Sequence, residues 1–229
     1  MGCINANISK VGSGVRGGVE VVSNTLTATV SKLDGGLKAN IGIVCTSPSP
    51  NLYTRVEYIE SNGVQYIDTG IMLTTKTDYL FVGAITENTK TGWIAGAPTW
   101  IGIHKKANQV AVTQTSNGMM YMPVEVNEVF SVGLYGDKVY FNNVETNKLT
   151  RKNATKSLFL FAYHHTNDTG SIHSSNRMYS FTIWEDGVLV RDFIPVLDLD
   201  GVACMYDMVS KTFFYNQGKG DFIAGDKIE

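Results

Sequence analysis

Cysteine and proline are both scarce in the 229 residues, at three and five, and charged side chains make up only 17%. Cys3, Cys45 and Cys204 are widely spaced, odd in number and without a CxxC pair, which argues against a disulfide framework and a zinc site. Cys45 and Cys204 sit in apolar runs and read as buried thiols. The formal charge is -2 and no cluster of lysine or arginine occurs, so a nucleic-acid partner is not expected. No apolar run approaches membrane-spanning length, and MGCINANISK lacks a basic start followed by an apolar core, so neither a membrane partner nor a signal peptide is expected. Ala6 stands where a myristoylation motif after Gly2 needs Ser or Thr, and Cys3 lacks a lipoprotein's apolar leader.

Catalytic patterns are missing too. Retaining glycoside hydrolysis needs two carboxylates about 5 to 5.5 Å apart, which a strand supplies by placing acids on alternate residues. Glu57 and Glu60 are three apart and so face opposite ways, Glu185-Asp186 precede a turn glycine, and Asp198 and Asp200 share a face but sit next to Gly201. Each reads as a solvated turn or edge charge. No GxSxG elbow and no cysteine with a partnered histidine is present. His164, His165, His173 and Asp168 belong to the polar stretch YHHTNDTGSIHSSN, for which a surface loop is preferred over a metal site. The run 198–201 lacks the twelfth-position glutamate of a calcium loop and reads as a hairpin turn. The expectation is no enzyme, no cofactor and no metal.

Glycine is plentiful, at 23 residues, and hydrophobic residues reach 43%, enough for a packed core. Most glycines separate short strand-like runs. The closing stretch shows this best: 179–184, 188–195, 202–207 and 212–215 alternate with turns at 185–187, 198–201 and 216–220. Its Met178, Phe181, Ile183, Leu189, Phe193, Ile194, Val196, Met205, Phe213 and Phe222 exceed what a few hairpins can hide, so a larger sheet-on-sheet core is required. Upstream, 55–71 reads as strand, Ser61-Asn62-Gly63 turn, strand. Strands also fit 79–85, 93–96, 100–103 and 109–113 around a 105–108 turn, 129–135 and 138–141 around Gly136-Asp137, and 157–163 as a strand buried on both faces. About a dozen strands without an amphipathic helix predict an all-β fold, a two-sheet jelly-roll sandwich.

The first fifty residues differ. ANISKVGSGVRGGVEVV at 6–22 aligns without gaps on ATVSKLDGGLKANIGIV at 28–44, so one strand-turn-strand unit is used twice. A piece this small cannot bury a core alone. Its apolar positions Ile8, Val11, Val19, Val21, Val30, Leu33, Ile41 and Ile43 must pack on the following domain or on other chains, and intermolecular packing is favoured. The spacer TSPSPN supports that choice, because alternate prolines keep a chain extended and stiff. The division is a double β-hairpin anchor and oligomerisation domain at 1–45, a linker at 46–51 and the jelly roll at 52–229.

VEYIESNGVQYIDTGI, KSLFLFA and MYSFTIWEDGVLVRDFIPVLDLDGVACMYDMVSKTFFYNQGKGDFIAG resemble the LamG-like branch of the concanavalin A-like lectin/glucanase superfamily, across 55–225. The resemblance implies a two-sheet jelly roll with glycan or protein ligands at loop ends or on the concave sheet. The opening residues are similar to the virion-anchoring ends of small structural proteins in tailed phages of gut Bacteroidales. For a glycan or mucin ligand, aromatic faces beside polar donors single out Trp93, Trp100 and His104, and Tyr163, His164 and Asn167; the competing reading is that Trp93 and Trp100 cover sheet ends. The apolar run 118–123 is read as a core edge or a subunit contact. Together these readings predict a non-enzymatic virion-surface protein, a capsid decoration or head-fibre subunit. Residues 1–45 would bind other virion proteins and form a homo-oligomer, with a trimer as one form, while the lectin-like domain adheres. The alternative is a cell-surface carbohydrate-binding module of a gut bacterium.

Overall fold

A computed structural model describes residues 52–114 and 119–228 in full, and strands within 7–42 as backbone only. The chain divides into two compact units, Met1–Asn51 and Leu52–Glu229. In the first, Asn7–Val11 pairs antiparallel with Gly14–Gly18, and Thr27–Leu33 with Gly36–Gly42, as two separate two-stranded sheets. The side chains of its eight assigned apolar positions, together with Cys45 and the 46–51 spacer, lie outside the described residues.

The second unit is a β-sandwich, all strand and without a helix among the described residues. Its smaller sheet runs Met122–Pro123, Gln109–Thr113, Ile101–Lys106, Thr91–Ala97, Ser157–Leu160, Ile67–Met72, with the short pair Tyr163–His164 and Gly170–Ser171 set beside Thr91–Ala97. The larger sheet runs Val144–Lys148, Lys138–Phe141, Phe130–Tyr135, Thr77–Ile85, Ser175–Glu185, Val188–Leu197, Ala203–Asp207, Thr212–Phe214. Three short strands, Thr54–Arg55, Ile59–Asn62 and Ile223–Ala224, pair along it. The nineteen strands among its described residues exceed the dozen expected because several span only two residues.

Alternation builds the core. Tyr79, Phe81, Phe130, Val132, Leu134, Phe181 and Ile183 of the larger sheet share one cluster with Ile101, Ile103, Val110, Val112, Leu158 and Leu160 of the smaller. Each large apolar side chain so buried stabilises the fold by about 1.5–3 kcal/mol. Tight hairpins set the register: Tyr135 pairs with Lys138 across Gly136, at φ 57°, and Glu185 with Val188 across Asp186 and Gly187, at 51° and 78°. These are the primed turns whose twist suits antiparallel strands. The cluster from the closing stretch is buried except at Leu189, which is exposed, and Phe213, which is half-buried. Cys204 is buried.

Several sequence expectations need correction. The Ser61-Asn62-Gly63 turn is present, with Gly63 at φ 97°, but the strands flanking it belong to different sheets. Buried Gln65 holds this crossover: its Oε1 accepts from Ser61 Oγ at 2.9 Å and from the Asn62 amide at 3.0 Å, while its Nε2 donates to Asp221 O at 2.9 Å. The 157–163 strand stops at Leu160 because Phe161 takes φ 66°. Lys105 is no turn residue. It lies in a strand, is fully buried, and its ammonium meets Glu87 and, at 3.2 Å, Lys90 O. Glu60 and Glu185 are not simply solvated: Glu60 pairs with Arg177 at 2.7 Å, and Glu185 accepts from the Thr74 and Thr77 hydroxyls at 2.6 and 2.5 Å. The apolar run near 120 is split, with Met122 in the core and Met120 exposed.

Candidate functional site

Trp93 lies in Thr91–Ala97, between Gly92 and core residue Ile94. Strict alternation from Ala97 and Ala95, both in the core cluster, would send Trp93 inward as well. The register prevents this. Ile103 pairs with Ala95 but His104 pairs with Trp93, so the strand bulges at Ile94. A bulge adds one residue and re-aims the side chain beside it. Ile94 and Ala95 both stay in the core, and Trp93 joins His104 on the sheet's other face.

Around Trp93 the rings are close. Its centroid is 5.0 Å from Tyr163, 5.1 Å from His104 and 5.8 Å from Trp100, and Trp100 is 5.8 Å from Tyr163. Such tilted and edge-on pairs suit the ring quadrupoles. Gly96 makes the packing possible, since a Cβ there would lie 2.9 Å from Trp93 Cε3 and 3.0 Å from Tyr163 Cα. The indole nitrogen of Trp93 is buried and has no hydrogen-bond partner among the described residues. A neutral buried donor of this kind costs about 1–3 kcal/mol.

Exposure divides the cluster into floor and rim. Trp93 is 0% exposed and His104 is buried, whereas Trp100 is 43% exposed and Tyr163 partly so. Trp100 sits in the three-residue turn between Ala97 and Ile101, where Thr99 and Trp100 adopt φ 72° and 63°. A β-branched and a bulky residue rarely occupy that region, and such strain concentrates at functional sites. The turn is held by its neighbours: the Trp100 amide donates to Tyr163 Oη at 3.4 Å, and Thr113 Oγ1 donates to Trp100 O at 3.0 Å.

Tyr121 completes the wall. Its hydroxyl shares a 3.0 Å hydrogen bond with His104 Nδ1, and the two rings stand 6.0 Å apart. Burial, then the charge of Lys106, holds the His104 imidazole below its ordinary value of 6.5, so it is neutral at pH 7. Burial pushes the Tyr121 phenol up. The site is therefore uncharged at its centre, offering ring faces, a phenol and an imidazole, a combination suited to polar but neutral ligands.

Of the six residues singled out from sequence, Trp93, Trp100, His104 and Tyr163 come together. His164 and Asn167 are placed apart from them. The 163–171 stretch is a hairpin, with His164 buried and stacked on Phe159 at 3.7 Å, its Nδ1 donating to Ser157 O at 2.7 Å. Asn167 is exposed at the tip, where its Oδ1 accepts from Thr169 Oγ1 at 2.6 Å. His173 and Tyr66 lie with their rings 6.0 Å apart beside this hairpin. Sequence reasoning grouped Tyr121 with an apolar run; the signal for it was its place just before core residue Met122, which turns Tyr121 toward the opposite face. Among the described residues no cluster of three or more metal-ligating side chains occurs.

No protein-family model matches the sequence, and no curated protein does. The fold is similar to the crystal structure of a "putative carbohydrate binding protein" from Bacteroides ovatus, with a TM-score of 0.55 at 13% identity over 84% of this chain and 69% of that one.

Proposed function

We propose that the 52–229 sandwich is a non-enzymatic carbohydrate-binding module that holds a neutral glycan against the Trp100–Tyr163 rim. The observation that carries this is the aromatic cluster itself. A β-bulge, two strained φ angles and Gly96 combine to present Trp100 over a floor of Trp93 and His104. Sugar rings present C–H faces to aromatic rings and hydroxyls to groups such as the Tyr163 and Tyr121 phenols and the His104 imidazole. The Bacteroides ovatus structure supports a carbohydrate-binding role over the virion role as the main reading. Structural employment of Glu60, Glu185 and Asp198 favours binding without hydrolysis.

The test is a glycan array followed by calorimetry on the tightest neutral hit. Trp100→Ala should weaken binding at least about tenfold, ~1.4 kcal/mol, with the unfolding midpoint nearly unchanged because the side chain is half-exposed. Binding that survives Trp100→Ala and Tyr163→Ala together would place the site elsewhere.

The opening unit is proposed to be an oligomerisation anchor. Its support is physical: two-stranded hairpins are marginal alone, and here two of them form separate sheets. A place on a virion surface rests on that unit only.

A further inference from the structure

We infer that the sandwich has a second, independent ligand site, a cleft at its open side that takes a neutral glycosyl unit with adjacent hydroxyls. The cleft has a volume of about 390 Å³ and runs between Asp68–Gly70 on the smaller sheet and Arg191 with residues 213–217 on the larger. It shares no residue with the Trp100 rim, and it holds whether or not that rim binds glycan.

Arg191 is its centre. Nε donates to Thr69 O at 3.2 Å across the gap between sheets, Nη1 donates to Val190 O at 2.9 Å, and the guanidinium lies 5.5 Å from the Phe214 ring centre. These contacts fix the guanidinium plane before any ligand arrives. Nη2 makes no hydrogen bond among the described residues. Gly70, at φ 68°, borders it without a side chain, and a Cβ there would stand in ordinary contact 3.8 Å from Nη2.

The nearby carboxylates have different roles. Asp207 is buried 3.6 Å from Nη1 and accepts from the amides of Asp192, Val209 and Ser210 and from Ser210 Oγ, at 2.6–3.1 Å, so its oxygens are committed within the fold. Asp68 lines the cleft with Oδ1 accepting from the Gly70 amide at 2.8 Å, while Oδ2 has no partner among the described residues. Gln217 adds an exposed amide, and Tyr215, 44% exposed, adds a ring whose hydroxyl is tied to Asp198 at 2.9 Å.

One fixed donor, one acceptor and an amide beside a phenol ring match a sugar's hydroxyls, which both donate and accept. Charge selects further. The Asp68 and Asp207 carboxylates together outnumber the Arg191 guanidinium, which disfavours a uronate relative to a neutral ring.

The experiment is a nitrogen-15 NMR titration of the full chain with methyl glycosides of glucose, galactose and mannose, and with methyl glucuronide. The expected result is saturable shifts at the Gly70 amide and the Arg191 and Gln217 side chains with at least one neutral glycoside, and at least about tenfold weaker binding of the glucuronide. Asp68→Asn and Arg191→Met should each weaken that binding at least tenfold, and Trp100→Ala should leave it unchanged. Asp68→Asn, on a half-exposed side chain, keeps the test valid should Arg191→Met unfold. Shifts confined to Trp100 and Tyr163, no shift with any glycoside, or tighter binding of the glucuronide would overturn the second site.

Discussion

Lys105 shows what a single side chain can demand of a fold. Its ammonium is buried in a strand and is met by Glu87, whose own side chain is about a quarter exposed. Partial burial pushes the Glu87 carboxyl up, but the Lys105 ammonium and the Thr89 hydroxyl and amide outweigh it and hold the pKa down at about 2, against an ordinary 4.5. Removing one partner of a buried pair costs about 3–5 kcal/mol, and the exposure of Glu87 places Glu87→Gln near the lower end. Urea denaturation checks this, and replacing both partners with apolar residues should recover most of the loss. The pH dependence follows in sign. A carboxyl with a depressed folded-state value stabilises fully above about pH 4.5, and that stability is lost as pH falls toward 2. Urea midpoints should therefore drop between about pH 4.5 and 2, and less steeply in Glu87→Gln; equal slopes in both proteins would refute the role given to Glu87. None of this was legible beforehand, because Lys105-Lys106-Ala107-Asn108 carries the composition of a turn. The two-residue turn is in fact Ala107-Asn108, and Lys105 reaches inward only because an acid 18 residues away meets it.

At the level of the element, the local hairpins were readable and the crossings were not. Glu185-Asp186-Gly187 and Gly136-Asp137 announce their turns through residues that tolerate positive φ. The Ser61-Asn62-Gly63 turn carries the same signal, yet Ile59–Asn62 and Ile67–Met72 separate into two sheets, a choice made by Gln65, which makes two local hydrogen bonds, to Ser61 and Asn62, and one distant one, to Asp221. The aromatic types of the candidate site could be listed from sequence. Their meeting could not, since it depends on the bulge at Ile94. Gly96 is the element's weak point. A methyl there would press on Trp93 and on the Tyr163 backbone at about 3 Å, and overpacking of this kind costs about 1–3 kcal/mol. Gly96→Ala should lower the unfolding midpoint and change the near-ultraviolet circular dichroism of the tryptophans together; a loss of stability with an unchanged aromatic spectrum would contradict this packing.

For the whole molecule, the sandwich and the opening hairpins raise separate questions. The sandwich buries its own core, so residues 52–229 alone should fold and run as a monomer. The anchor proposed for 1–45 predicts a larger assembly for the full chain, and sedimentation of both samples decides it, since equal oligomeric states would remove that role. The claim on which the functional account turns is narrower, namely that ligand meets Trp100. The chain has three tryptophans, and Trp184 lies on the larger sheet against Tyr135, 5.4 Å between ring centres. Fluorine NMR of the 5-fluorotryptophan protein, titrated with a neutral glycan that binds on an array, reads all three at once. The account predicts a saturable shift of the Trp100 resonance, a smaller one of Trp93 beneath it, and none at Trp184; a shift at Trp184 alone, or at no tryptophan while the glycan binds, would contradict it.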